Sequence, residues 1–489
     1  MKSIVEAVAC AAARKPDAVA VIAEGQKISY SELWREVRGF AAYINSFGFE
    51  KGTRIVVKAK HSIWYVVACF GIQLSGCANV PVEKMIGIEG LKDIAQKLSA
   101  AMVISDMHLS KAAYETVDSA SVRELATKYF EETMEFGFPQ SEDVCDILFT
   151  TGTTGNPKGV VLSHRAVIAV AENLQYGLEP GAFDNNVYLI PSPINHAGGI
   201  RNLYVCMVTG TTAVLLDGFS NVKLFFQCIR DYDVTSIYMP PSAVRMMVLL
   251  AAKEFAKHTE QLRFIFTSSA MFPESDKERL REILPRTQLY NDYGCSEAGR
   301  TCIFNYSRIE GKENCVGRPT RNSHLFIVDD KGNEMQSSKT NCGLIAISGP
   351  IVMSGYYDAP ELTQKTLQNG AIYTNDIGYI DEEGYVYVLG RRDDVINLGG
   401  LKIAPTEVEN VALRYPGIAE CVCFPVEDKI SGIAPKMNII EATGIEVDIS
   451  KLREYMLKTL EAYKVPKLIE KVKEIPKTAN GKIDRKVLK

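Results

Sequence analysis

Short apolar runs of strand length alternate with amphipathic segments of helical period through most of the first 320 residues. The runs are Ala18 to Ala23, Arg54 to Lys58, Ala101 to Ser105, Ala213 to Leu216, Ser236 to Met239 and Phe264 to Thr267; the helical segments include Tyr30 to Phe47, Val222 to Tyr232 and Pro241 to Phe255. This alternation predicts layered α/β architecture with largely parallel sheets, because a parallel neighbour is reached through a crossover helix. From about Val316 to Leu389 the texture changes to short strands and Gly/Asn/Asp turns, which predicts a compact β subdomain at about 316–390. A β/α pattern resumes after Arg391 for the rest of the chain. The expected division is therefore a large N-terminal domain, 1–390, and a small α+β C-terminal lid, 391–489. No internal repeat is visible.

The 489 residues carry 55 Lys plus Arg against 59 Asp plus Glu, a net charge of −4. So balanced a chain has no global field for nucleic acid or an anionic membrane, and any anion must be bound locally. No apolar run approaches bilayer length, so no membrane insertion is expected. Ile4 to Ala13 is apolar but interrupted by Glu6, and Arg14-Lys15-Pro16-Asp17 reads as a helix end and turn rather than a cleavage site. The twelve cysteines are scattered, and only Cys421 and Cys423 lie close together. Reduced thiols in a cytoplasmic protein are the expectation.

Phe149-Thr150-Thr151-Gly152-Thr153-Thr154-Gly155-Asn156-Pro157-Lys158-Gly159 follows the apolar strand candidate Asp146 to Phe149. Its hydroxyls, unobstructed backbone N–H groups and one lysine are what a polyphosphate cradle needs. It is not a Walker A loop, because Pro157 precedes Lys158 and no Ser/Thr follows to hold magnesium; the dinucleotide pattern G-x-G-x-x-G is absent too. A plain Gly/Thr turn rarely carries so many donors. The segment resembles the phosphate loop of the adenylate-forming family, which includes acyl-CoA synthetases, peptide-synthetase adenylation domains and firefly luciferase. Successive family motifs recur in order over nearly the whole chain.

The resemblance implies a set of roles. In Tyr290-Asn291-Asp292-Tyr293-Gly294-Cys295-Ser296-Glu297, Tyr293 offers an aromatic face to adenine and Asn291 an amide to the base edge, with Asp292 beside them. Ser296 serves the α-phosphate and Glu297 binds magnesium, a hard cation that prefers oxygen ligands. Tyr373-Thr374-Asn375-Asp376 resembles the family's T-G-D element, whose aspartate holds the ribose; Asn375 replaces the glycine, and its tolerance of positive φ would preserve a turn. Arg391 supports the ribose from the domain junction, and Asp393 is the matched hinge. Lys482, in Pro476-Lys477-Thr478-Ala479-Asn480-Gly481-Lys482, bridges the substrate carboxylate and the α-phosphate. After rotation of the lid, Gly399, Gly400 and Lys402 would border the path of an incoming thiol, glycines leaving room for a pantetheine arm.

Pro193-Ile194-Asn195-His196-Ala197-Gly198-Gly199 resembles the acyl-pocket motif of acyl- and aryl-CoA ligases. His196 is expected to gate or position rather than act as a base. Ala197 stands where amino-acid-activating members carry an ammonium-binding aspartate, which disfavours an α-amino acid. Arg201, one helical turn on, either pairs with a second substrate carboxylate or faces solvent. Ser268-Ser269-Ala270-Met271 replaces a small Gly/Ala loop, placing Ser269 and Ala270 in a narrowed acyl pocket. The implied reaction uses ATP and Mg2+ to activate a small carboxylic acid as acyl-AMP and passes it to coenzyme A. The alternatives are transfer to the phosphopantetheine of an acyl carrier protein, and a catalytically silent nucleotide-binding homologue.

Overall fold

The structure, a computed structural model, describes the chain except residues 110–113, 152–156, 399–400, 429–431, 478–482, 486 and 489, and except the side chains at 151, 157, 397, 401, 402 and 432. Two large sheets carry the first 390 residues. In the 14-stranded sheet, Val19–Ala23, Thr212–Leu215, Val187–Ile190, Ser236–Met239, Phe264–Thr267 and Gln288–Cys295 are neighbours, all in parallel pairs. Four-residue strands such as Ser236–Met239 and Phe264–Thr267 are buried at every position, which is why they read as continuous apolar runs. The helix expected over Pro241 to Phe255 is two helices, Pro241–Leu250 and Ala252–Ala256, because Ala251 leaves helical geometry at φ −140°.

The β-rich segment does not build a sheet of its own. Cys315–Pro319 pairs antiparallel with Gly299–Asn305 on one side and Val386–Arg391 on the other, so Ala371–Ile380, Gly343–Ser348 and His324–Val328 extend the same large sheet. The second sheet, of seven strands, contains the hairpin Val144–Thr151 and Pro157–Ser163, and the short strand Gly355–Tyr356 adds to its edge. From Ile396 onward the chain packs two clusters made only of its own apolar residues, around Val408, Cys423, Met437 and Leu452 and around Val422 and Ile475. A three-stranded sheet and the helices Pro405–Leu413 and Ile449–Leu457 frame them. All twelve cysteines are free thiols. Among the described residues no helix is long and apolar enough to cross a membrane.

Candidate active site

Ligands of open parallel sheets gather beyond the carboxyl ends of the strands. Here four strand ends meet that description: Val187–Ile190 runs on to His196, Ser236–Met239 to Pro240, Phe264–Thr267 to Ser268–Met271, and Gln288–Cys295 to Ser296 and Glu297. The motifs singled out in sequence are therefore brought to one edge by topology. The antiparallel pair Val144–Thr151 and Pro157–Ser163 carries the two ends of the Thr/Gly-rich motif. Thr150 lies opposite Lys158 and Thr151 opposite Pro157, so strand pairing runs further into the motif than expected. Gly152, Thr153, Thr154 and Gly155 lie outside the described residues.

Tyr293 donates its hydroxyl to Asp376 Oδ2 at 2.6 Å, and Arg391 Nε stands 3.4 Å from Asp376 Oδ1. Asp376 and Arg391 are direct cross-strand partners in the ladder between Ala371–Ile380 and Val386–Arg391, which fixes their approach. Burial first, then the Asp376 carboxylate, pushes the Tyr293 phenol well above its usual range. The ring thus stays a neutral donor. Asn291 is 5% exposed and its Oδ1 has no partner among the described residues, an unmet acceptor of the kind an adenine amino group satisfies.

Glu297 Oε1 accepts from the Tyr356 hydroxyl at 2.7 Å, and Lys158 Nζ lies 5.7 Å from the centre of the Tyr356 ring. Burial and then Glu297 raise the Tyr356 phenol. Tyr356 joins Lys158 to the Glu297 carboxylate, and sequence reasoning missed it. Its signal was the Gly-Tyr pair at 355–356, indistinguishable in isolation from an ordinary strand end. The oxygen and ammonium groups gathered here fit a magnesium–triphosphate in chemistry.

Two expectations are corrected. Arg201 neither faces solvent nor stands open to a ligand: it is 6% exposed, donating from Nη1 to Cys295 O at 3.0 Å and from Nη2 to Ser296 O at 2.6 Å. The helix Ala197–Thr209 is buried at every position from Gly199 to Val208, so no solvent face exists for it. Burial, and next the neighbouring Arg300, lower its pKa to about 10. Asn375 makes no positive-φ turn; it lies within the strand Ala371–Ile380, where glycine's freedom is not required. Its amide donates to Asp393 Oδ2 at 2.7 Å and its carbonyl accepts from Arg392 N at 2.7 Å, so the junction arginine's neighbour and the expected hinge are both fastened to it.

His196 occupies the N-cap position of the helix Ala197–Thr209, where Asn195 Nδ2 approaches its Nε2 at 3.5 Å. Its carbonyl accepts from Gly199 N and Ile200 N. Gly199 is required there, since a Cβ would lie 2.2 Å from Pro193 O. Ser269 sits at φ +86°, a conformation that favours glycine, and Ala270 beside it is exposed. Asp292 faces Arg300, with Oδ2 to Nε at 3.6 Å, and burial raises its carboxyl to about 6. Gly399, Gly400 and Lys482 lie outside the described residues; Lys402 falls on the strand Leu401–Ile403, its side chain undescribed.

Residues 8–357 match the model of the AMP-binding enzyme family, and 407–482 that of the AMP-binding enzyme C-terminal domain. The chain is an AMP-binding enzyme. A 2-succinylbenzoate–CoA ligase of Bacillus licheniformis is 29% identical to it, over 96% of each chain. The fatty acid–[acyl-carrier-protein] ligase ScoC of Streptomyces coeruleorubidus is 28% identical over 100% of this AMP-binding enzyme and 96% of the relative. Among solved structures, the o-succinylbenzoate coenzyme A synthetase of Bacillus subtilis in complex with ATP and magnesium superposes with a TM-score of 0.83 at 26% identity, covering 98% of both chains.

Proposed function

We propose that this enzyme activates a carboxylic acid with ATP as acyl-AMP, releases pyrophosphate and transfers the acyl group to coenzyme A. The observation that carries the reading is the convergence on one sheet edge of Asn291 with its unmet acceptor, the Tyr293–Asp376–Arg391 chain and the Tyr356-oriented Glu297. A carboxylate oxygen attacks the α-phosphorus, and the bond from that phosphorus to pyrophosphate breaks. No base is needed, because the acid is already ionised and pyrophosphate leaves as an anion. The residues' task is to hold two anions together. Lys482 carries the bridging charge in this reading, Ser296 serves the α-phosphate, and Thr150 to Gly155 with Lys158 cradle the outer phosphates. Asp376 and Arg391 hold the ribose. Magnesium, held at Glu297, would neutralise phosphate charge. In the second step the thiol sulfur bonds to the acyl carbon, AMP departs and the thiol proton passes to solvent, with Gly399, Gly400 and Lys402 bordering the thiol's path. A lid comprising 391–489 and turning at Asp393 separates the two steps, and a cytoplasmic location completes the proposal.

A carrier-protein phosphopantetheine is the second candidate acceptor, favoured by the end-to-end likeness to a carrier-protein ligase. The test is pyrophosphate release from ATP with a panel of carboxylic acids, run without thiol, with coenzyme A and with a phosphopantetheinylated carrier protein. Acid-dependent release followed by coenzyme A thioester is expected. Nucleotide binding without release for any acid would instead identify a silent homologue.

A further inference from the structure

Gly198 and Ser269 come from different motifs, one at the start of the helix Ala197–Thr209 and the other after the strand Phe264–Thr267. A third residue joins them. Tyr238, 1% exposed at the end of the neighbouring strand, shares a hydrogen bond with Ser269 Oγ at 2.9 Å. A Cβ at Gly198 would lie 2.6 Å from the same phenolic oxygen and 3.3 Å from Ser269 Oγ. Glycine at 198 is thus a requirement of the tyrosine hydroxyl beneath it.

Beyond this pair lies a buried polar network. Asn202 donates to Gly198 O at 2.5 Å and accepts from Tyr188 Oη at 3.0 Å and Arg300 Nη2 at 2.7 Å. Arg300 in turn faces Asp292. Tyr188, Asn202, Tyr238 and Arg300 are all at least 96% buried. A channel for a long hydrocarbon tail needs apolar lining, since buried polar groups lose solvation without gaining a partner from it.

Taking the proposed function as its footing, we infer that the acid activated here is short and bears a polar group remote from its carboxylate, which hydrogen-bonds to the Tyr238–Ser269 hydroxyl pair. Tyr238 is then a specificity-determining residue. One buried hydrogen bond of this kind corresponds to roughly tenfold in specificity.

The experiment compares kcat/KM for pyrophosphate release with butyrate against γ-hydroxybutyrate, benzoate against meta-hydroxybenzoate, and laurate. The hydroxylated acid should win at least one pair by roughly tenfold, with laurate the poorest substrate. Tyr238→Phe, which removes one oxygen from a packed ring, and Ser269→Gly, which relieves the positive φ, should each level the favoured pair by lowering kcat/KM for the hydroxylated acid more than for its unsubstituted partner. Laurate as the best substrate, no preference in either pair, or a preference that survives both substitutions overturns the inference while leaving the ligase reading intact. Calorimetric binding of ATP with no pyrophosphate from any acid overturns both.

Discussion

Side chains that contact backbone are the hardest to anticipate from sequence, and Arg201 is the instance of consequence. It holds the carbonyls of Cys295 and Ser296, immediately before the Glu297 carboxylate. A lysine keeps the charge but lacks the planar fork that reaches both oxygens. Arg201→Lys should therefore raise the magnesium concentration needed for half-maximal adenylation several-fold and lower stability by about 1–3 kcal/mol, the range for leaving a buried acceptor unmet. An unchanged magnesium titration in a folded variant would contradict this. Asp292 makes a separate prediction, in pH. Its folded carboxyl titrates near 6 because burial opposes ionisation, whereas an unfolded aspartate titrates at 3.8. Between those values the unfolded chain has lost a proton the folded chain still binds, so this group's contribution to stability falls as pH rises from about 4 to about 6 and is flat above. Asp292→Asn should remove that part of the slope in denaturant titrations across the window. These two residues also mark the limit of sequence reading. Tyr293, Ser296 and Glu297 stand in one contiguous motif that sequence can single out, while Arg201 meets carbonyls 94 and 95 positions away that carry no side-chain signature.

At the scale of elements, the ladder between Ala371–Ile380 and Val386–Arg391 does two jobs at once. It sets Asp376 opposite Arg391, and through Asn375 it secures the turn that contains Asp393. The Asn375–Asp393 bond is exposed, so its net worth is about 0.5–1.5 kcal/mol, or roughly two- to tenfold in the population of an opened junction. Asn375→Gly should speed tryptic cleavage after Arg391 or Arg392 by that factor at constant global stability. Cleavage at the parent rate would show that the bond does not restrain the junction. The central strands were legible because parallel strands buried on both faces are unbroken apolar runs. The pairing of Cys315–Pro319 that merges the β-rich region into the large sheet was not, since turn composition locates strands without naming their neighbours.

For the molecule as a whole, the proposed alternation predicts that the two half-reactions can be separated. Lys482 and Gly400 lie on the same C-terminal segment but serve different steps in the proposed mechanism. Lys482→Ala should abolish most acid-dependent pyrophosphate release while sparing thioester formation from supplied acyl-adenylate, and Gly400→Leu should do the reverse. Quenched-flow measurement of each half-reaction checks this, and equal losses in both variants would exclude division of labour. The α/β class and the small terminal unit were legible from the order of runs along the chain; the size of the large sheet was not, because its neighbours are so distant in sequence. That distance bears on how the protein is made. Val21 pairs with Ala213, nearly two hundred residues downstream, and has only the short antiparallel partner Gln26–Ser29 before then. A ribosome adding 5–20 residues per second leaves this strand edge without its parallel neighbour for roughly 10–40 s. Throughout that interval Val19–Ala23 presents an open apolar edge, a strand for which chaperone cover during synthesis is expected to matter.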